Sequence, residues 1–267
     1  MTQHYLFPRT QREYQRQALQ SQVWERATRQ ALQNVGPLLG GQILDVGCGC
    51  GGAMAMLAEQ VGVEGRVTGL DIDPVASAKF RAKTAAHNIN YRFIEADITA
   101  AMLEPSTFDL VFARMVLLHI QQPSKLLHRL WEWVRPGGWL LIMDYDLTSS
   151  SSFPQHPVIE RALRFSVDTF RRDGLDIEIG SRVPALFAEA GLPQPDGCDI
   201  ASMILPAGPS VHALRETLLS LRPAILRSRL ADEPTLERTD RELVAAANSQ
   251  VHVRWPDMVT TWKRKPL

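Results

Sequence analysis

The run Ile43-Leu44-Asp45-Val46-Gly47-Cys48-Gly49-Cys50-Gly51-Gly52 decides the fold. An apolar stretch of strand length enters a glycine cluster, and Ala53-Met54-Ala55-Met56-Leu57-Ala58-Glu59 leaves it as a good helix former. The pattern predicts a strand, a tight turn and a helix N-terminus. Glycines let the backbone reverse and a ligand come close. The helix start offers unpaired N–H groups and a partial positive charge. A ligand with an anionic part is expected at this turn.

Read literally, Gly47, Gly49 and Gly52 spell G-x-G-x-x-G, and Asp71 follows about 20 residues on, as in the dinucleotide fingerprint. Asp45 argues against that ligand. It sits two positions before the first glycine, where its charge would repel a pyrophosphate. A carboxylate here suits a ligand carrying both a cation and an anion, such as the amino-acid end of S-adenosylmethionine. Asp45-Val46-Gly47-Cys48-Gly49-Cys50-Gly51 resembles the D-x-G-x-G-x-G motif of class I S-adenosylmethionine-dependent methyltransferases.

Outward from the turn, strands are expected near 42–47, at Arg66–Leu70, Tyr91–Glu95 and Phe108–Ala113, and from the Arg135-Pro136-Gly137-Gly138 turn to Asp146. Helices are expected between them, one from about Val75 to Ala86. This alternation predicts an α/β fold with an open, doubly wound, mostly parallel sheet. The resemblance makes it the seven-stranded, Rossmann-like methyltransferase sheet, closed by an antiparallel strand at Met258–Lys263. Acids fall at successive strand ends, where ligands of open α/β sheets bind. Asp71 is placed for two ribose hydroxyls, with Ile72 beside it and Cys48 in the turn. Asp73 before Pro74 reads instead as a helix N-cap. The resemblance gives Asp97 the adenine amino group and Ile98 the ring, against the plainer reading of Asp97 as a turn aspartate.

After the fourth strand come Arg114 and, five residues on, His119. A histidine near its ordinary pKa can take a proton from an attacking hydroxyl or amine, which makes His119 the candidate catalytic base. A helix-start histidine held by backbone is the structural alternative. Arg114 belongs to the cofactor or substrate edge. Asp144 and Tyr145 close the fifth strand on the same cleft and are candidate substrate contacts.

Residues 1–35 are expected to form an amphipathic segment with a thin apolar stripe of Leu19, Val23, Trp24, Ala27 and Ala31. Glu13 to Gln20 is similar to the E-x-x-R-x-x-x-Q segment of a bacterial methyltransferase group related to the UbiE type. That resemblance implies a helical lid, with Arg16 and Gln20 toward the methionine carboxylate and Tyr5 and Tyr14 over the substrate. The remainder, 36–267, is read as the cofactor-binding domain. Within it 147–157 is a Ser- and Pro-rich loop, 198–205 a strand, and about 210–248 a pair of cap helices inserted before the last strand.

Composition narrows the classes. Of 267 residues 45% are hydrophobic, enough for one large domain, and Lys+Arg and Asp+Glu both number 29. No charge excess points to nucleic acid, no apolar run reaches a membrane span, and the first residues lack a signal-peptide core. Three cysteines are too few for a disulfide framework and suggest the cytoplasm. Cys48 and Cys50 lack a further ligand pair for a metal, and Cys198 reads as core. The expected function is direct methyl transfer from S-adenosylmethionine, leaving S-adenosylhomocysteine, to a small natural-product or lipid-like acceptor. Three readings stay open beside it: the same fold and cofactor used for another reaction such as a cyclisation, an NAD-dependent oxidoreductase, and a non-enzymatic binding module.

Overall fold

The computed structural model describes residues 6–76, 78–79 and 90–267. Tyr5 and most of the helix expected to Ala86 lie outside the described residues. The strands β1 (Gln42–Val46), β2 (Arg66–Asp71), β3 (Asn90–Glu95), β4 (Phe108–Arg114) and β5 (Val134–Asp146) pair in parallel in the order β3-β2-β1-β4-β5. The sheet continues into two antiparallel neighbours that carry later sequence and are described below. Ile43, Leu44, Val46, Leu110, Val111 and Phe112 are buried because helices cover both faces of these central strands. The order reverses between β2-β1 and β4-β5, so a crevice opens outside the carboxyl end of β1. The glycine turn occupies it.

Helix α3 (Met54–Val61) follows that turn, and α4 (Pro123–Trp133) packs beside β4 and β5. The Arg135-Pro136-Gly137-Gly138 turn is an irregularity within β5, between the pairings Phe108↔Val134 and Leu110↔Trp139. A Cβ on Gly138 would lie 2.9 Å from the Asp109 carbonyl oxygen, so the strand passes only with glycine there. Asp109 also accepts from the Gln42 backbone N–H at 2.8 Å and pairs with Arg135, tying β1, β4 and the turn together.

Beyond β5 the structure departs from expectation in two stretches. The stretch 147–157 is not a plain loop. It forms a short turn and then β6 (Ser151–Phe153), where Glu160 accepts from the Ser152 N–H (2.7 Å) and hydroxyl (2.6 Å) and so lets serine sit in a strand. After α5 (Pro157–Arg172) and α6 (Ile179–Glu189), the stretch 198–205 breaks into β7 (Gly197–Ala201) and β8 (Ile204–Pro206). The insertion continues with α7 (Ala207–Arg227), α8 (Glu233–Ala246) and β9 (His252–Arg254), and β10 (Asp257–Arg264) returns antiparallel between β5 and β7. The seven-stranded order is thus β3-β2-β1-β4-β5-β10-β7, and β6-β9-β8 is a separate small sheet. Cys198 is exposed rather than core, because β7 is an edge strand with an open face.

The N-terminal segment folds as two helices, α1 (Gln11–Val23) and α2 (Glu25–Gln33), joined at the fully buried Trp24. The apolar stripe describes α2 and the joint but not α1, whose buried face is polar: Glu13, Tyr14, Arg16 and Ser21. A buried polar face needs polar neighbours. Those neighbours are the glycine turn and the end of β5.

Candidate active site

A cavity of about 350 Å³ lies along the carboxyl edge of β1, β2, β4 and β5, roofed by α1 and walled by α5, α7 and residues 253–256. Its floor is the glycine turn. Gly47, Gly49 and Gly51 all take positive φ, 63°, 50° and 73°, which an L side chain rarely adopts. A Cβ on Gly47 would also meet Val116 Cγ2 at 2.7 Å. Asp71 holds the turn from the next strand: one carboxylate oxygen accepts from the Gly49 N–H at 2.8 Å and the other from the Asp73 N–H at 3.0 Å.

The electrostatics at the head of this turn are unusual. Asp45 is 3% exposed, and its Oδ2 has no hydrogen-bond partner among the described residues. Burial, with Asp71 adding to it and Arg114 opposing, raises its pKa to about 7. The Arg114 guanidinium donates to Thr28 Oγ1 and Ser21 Oγ, both at 2.8 Å and both neutral. Burial pushes its pKa down, and the Asp45 charge works the other way. A buried carboxylate with one oxygen lacking a donor and a buried guanidinium held by hydroxyls line the same cavity. The two charges offset each other in part, and each keeps hydrogen-bonding capacity that the described residues do not fill.

Several other expected residues also line the cavity: Arg16, Gln20, Gly47, Cys48, Gly49, Asp71, Ile72, Asp97, Ile98, His119 and Tyr145. Asp97 Oδ1 accepts from the Thr99 N–H (2.8 Å) and hydroxyl (2.7 Å), so the turn role is real and occupies one oxygen. Arg16 comes as a neutralised pair. Its guanidinium donates to both oxygens of Glu13 at 2.7 and 2.8 Å, to Gln20 Oε1 at 3.2 Å, and stacks 4.4 Å over Phe7. His119 sits against Phe7 and Phe170, ring centres 6.0 and 5.8 Å away. Burial first and then the Arg16 charge lower its pKa to about 3, so it is neutral but weakly basic.

Two expected substrate contacts stand elsewhere. Tyr14 does not line the cavity. Its hydroxyl donates to Asp73 Oδ2 at 2.7 Å, latching α1 to the turn after β2, while Asp73 Oδ1 caps the following helix through Val75 (2.9 Å) and Ala76 (3.4 Å). Asp144 is fully buried behind the site. It accepts from the backbone N–H of Val116 (3.0 Å), Leu118 (3.3 Å) and Tyr145 (2.9 Å), which leaves it to shape the loop after β4 rather than to touch a substrate.

The structure adds residues the sequence did not single out. Gln17 and Ser21 extend the polar face of α1, and the Ser21 hydroxyl donates to the Gly52 carbonyl at 2.8 Å. Polar residues at helical spacing on that face were the available signal. The far wall comes from Leu163, Ser166, Val167 and Phe170 on α5, Ser210, Ala213, Leu214 and Thr217 on α7, and Val253 to Pro256. In sequence a helix face turned to a cavity looks the same as one turned to core. Among the described residues no group of three or more metal-ligand side chains occurs, and no helix is long and apolar enough to cross a membrane.

Residues 43–138 match the family described as the methyltransferase domain. A 120-residue stretch is 34% identical to phosphoethanolamine N-methyltransferase 3 of Arabidopsis thaliana, covering 45% of this chain and 24% of that protein. The chain thus spans about a quarter of that relative's length. The fold resembles a solved structure from Bacillus halodurans with TM-score 0.61 at 14% identity, over 89% of this chain and 98% of that one. It also resembles Haemonchus contortus phosphoethanolamine N-methyltransferase 2, solved with phosphomonomethylethanolamine and S-adenosylhomocysteine. There the TM-score is 0.55 at 18% identity, over 91% of this chain and 53% of that one. Residues 43–138 thus match a methyltransferase-domain family, and they lie within a seven-stranded sheet that has the Rossmann-like methyltransferase fold.

Proposed function

We propose that this chain transfers the methyl group of S-adenosylmethionine to a small, largely apolar acceptor, within the bacterial small-molecule group related to the UbiE type. The observation that carries the reading is the unpartnered buried oxygen of Asp45 beside the hydroxyl-held Arg114. A methionine ammonium satisfies the first and a methionine carboxylate the second. Asp71 suits the ribose hydroxyls, and Asp97 and Ile98 the adenine. When bound, this cofactor supplies an electrophilic methyl group on a sulfonium. The chain's own residues then orient the acceptor behind it and exclude water, a task for which α1, α5 and α7 enclose the cavity.

The apolar far wall of Leu163, Val167, Phe170, Leu214 and Val253 supports an acceptor with an apolar body. His119 is the histidine at this wall. Its depressed basicity favours a role in orienting the acceptor or passing a proton on over one in holding the proton. The reading is tested by calorimetric titration with S-adenosylmethionine, S-adenosylhomocysteine and NAD on the wild type and Asp71→Ala. The expected result is binding of both adenosyl ligands, weakened in Asp71→Ala, with no NAD binding. NAD binding alone would overturn the reading. For His119→Ala, lost turnover with unchanged S-adenosylhomocysteine affinity is expected, and full activity would remove His119 from the chemistry.

A further inference from the structure

Tyr145, the penultimate residue of β5, lines the cavity, and its phenol oxygen is approached by two donors. Trp24 Nε1–H donates to it at 2.6 Å and Gln20 Nε2–H at 2.9 Å. The Gln20 amide cannot be turned to accept from the phenol instead, because its oxygen already takes a hydrogen bond from the cationic Arg16 at 3.2 Å. Trp24 can only donate. Both acceptor positions of the phenol are therefore filled, and its own proton has no partner among the described residues. Tyr145 lines the cavity, which is where a partner for that proton can enter.

Apart from His119, the polar side chains of the wall beyond it are largely engaged with the protein itself. The Ser166 hydroxyl donates to the Ala162 carbonyl (3.1 Å), Thr217 to Ala213 (2.9 Å) and Ser210 to Leu205 (3.4 Å). Ser210 also accepts from Trp255 Nε1 at 3.1 Å, and Arg254 is paired with Asp257 at 2.8 Å. Arg9 lines the cavity too, but from an exposed position where water screens its charge. Leu147 and Ser150 follow Tyr145 along the chain and line the same cavity, and the charges of both Arg16 and Arg114 act on the phenol, which sets it between the two ends of the cavity.

We propose that the Tyr145 phenol is a preset hydrogen-bond donor to an oxygen of the acceptor, and that the chamber selects an uncharged, largely apolar molecule bearing a hydroxyl or carbonyl oxygen. The inference rests on the methyl-transfer reading above and deepens it. It separates this chain from the phosphoethanolamine acceptors named for its relatives, whose phosphate and ammonium would find no buried, unpaired counter-charge among the described residues of this wall. Tyr145 acts as a specificity-determining contact whose direction is fixed by α1, so the lid must be docked for the donor to be aimed.

The test uses the full chain saturated with S-adenosylhomocysteine and three probes: 2-naphthol, 2-methylnaphthalene and phosphoethanolamine. Saturation with S-adenosylhomocysteine is confirmed first on the wild type, which checks the cofactor reading separately. The expected result is that 2-naphthol binds more tightly than phosphoethanolamine and loses roughly three- to tenfold affinity in Tyr145→Phe, the size of one neutral hydrogen bond. Binding of 2-methylnaphthalene and of S-adenosylhomocysteine should be unchanged in the same variant, which shows that the substitution leaves the fold intact. The proposal is overturned by absent 2-naphthol binding, by equal 2-naphthol affinity in both proteins, or by preferential phosphoethanolamine binding that Arg9→Ala abolishes. A fall in S-adenosylhomocysteine affinity in Tyr145→Phe would also overturn it, by assigning the proton to the cofactor.

Discussion

The two ends of the cavity are built in opposite ways. The end proposed for the cofactor comes from three consecutive strand–turn units, with Asp45, Asp71 and Asp97 at successive strand ends and glycines where the backbone must turn. The end proposed for the acceptor is assembled from α1, the end of β5, α5, α7 and residues 253–256, which are far apart in sequence. The first is a local code on a rigid sheet edge. The second is an enclosure whose members meet only after the insertion has folded. One can vary without disturbing the other, which is how a single fold serves many acceptors.

The most severe way to break this division is at its seam. Asp144 accepts three backbone N–H groups and holds the loop carrying Val116 and Leu118, which faces both ends. Asp144→Ala strands those donors and is expected to cost about 3 kcal/mol of stability in denaturant unfolding, with cofactor and acceptor binding falling together. Loss of only one of them would show the ends to be less coupled than the geometry says.

A second prediction sharpens the cofactor end through pH. Asp45 is raised from the ordinary carboxylate range to about 7 by burial and must be ionised to face an ammonium. S-adenosylhomocysteine affinity should therefore be about tenfold weaker at pH 6 than at pH 8, with proton release on binding at the lower pH. In the ligand-free protein the sign reverses. A carboxyl whose folded pKa lies above its unfolded value contributes stability at low pH that is lost as pH rises to about 7. Binding heats in two buffers of different ionisation enthalpy would check the proton count.

The mildest effect is expected at the acceptor wall. Val167→Ala trims the α5 face of the chamber and should weaken an apolar acceptor by roughly three- to tenfold. S-adenosylhomocysteine affinity should stay within about twofold of wild type. Parallel loss of both would contradict the separation.

The same asymmetry explains what was legible in the chain. The sheet to Asp146, the glycine turn and the acids at the strand ends follow from periodicity and turn chemistry, which are local. The N-cap role of Asp73 was readable for the same reason, but its bond to Tyr14 was not, because nothing in either residue's neighbourhood announces the other. Asp144 looked like a strand-end acid facing a cleft, yet its side chain turns to the backbone of a distant loop. Ile159, Leu163, Val167 and Phe170 form one helical stripe, but Ile159 is core while the other three face the cavity. Serine-rich 147–157 concealed a strand because Glu160 supplies partners that composition does not reveal. α1 inverted the usual rule by burying its polar face.

The central claim is that Asp45 is kept buried and unpartnered for a cationic ligand group. It is tested most directly by measuring two properties of Asp45→Asn, a change that keeps the volume and removes the charge. The account predicts that S-adenosylhomocysteine affinity falls about 100-fold at pH 8. It also predicts that the ligand-free variant is as stable as wild type or more so, since no bond of the Oδ2 oxygen within the described protein is lost and a buried charge is removed. A destabilised variant that binds S-adenosylhomocysteine as tightly as wild type would contradict it and make Asp45 a structural residue.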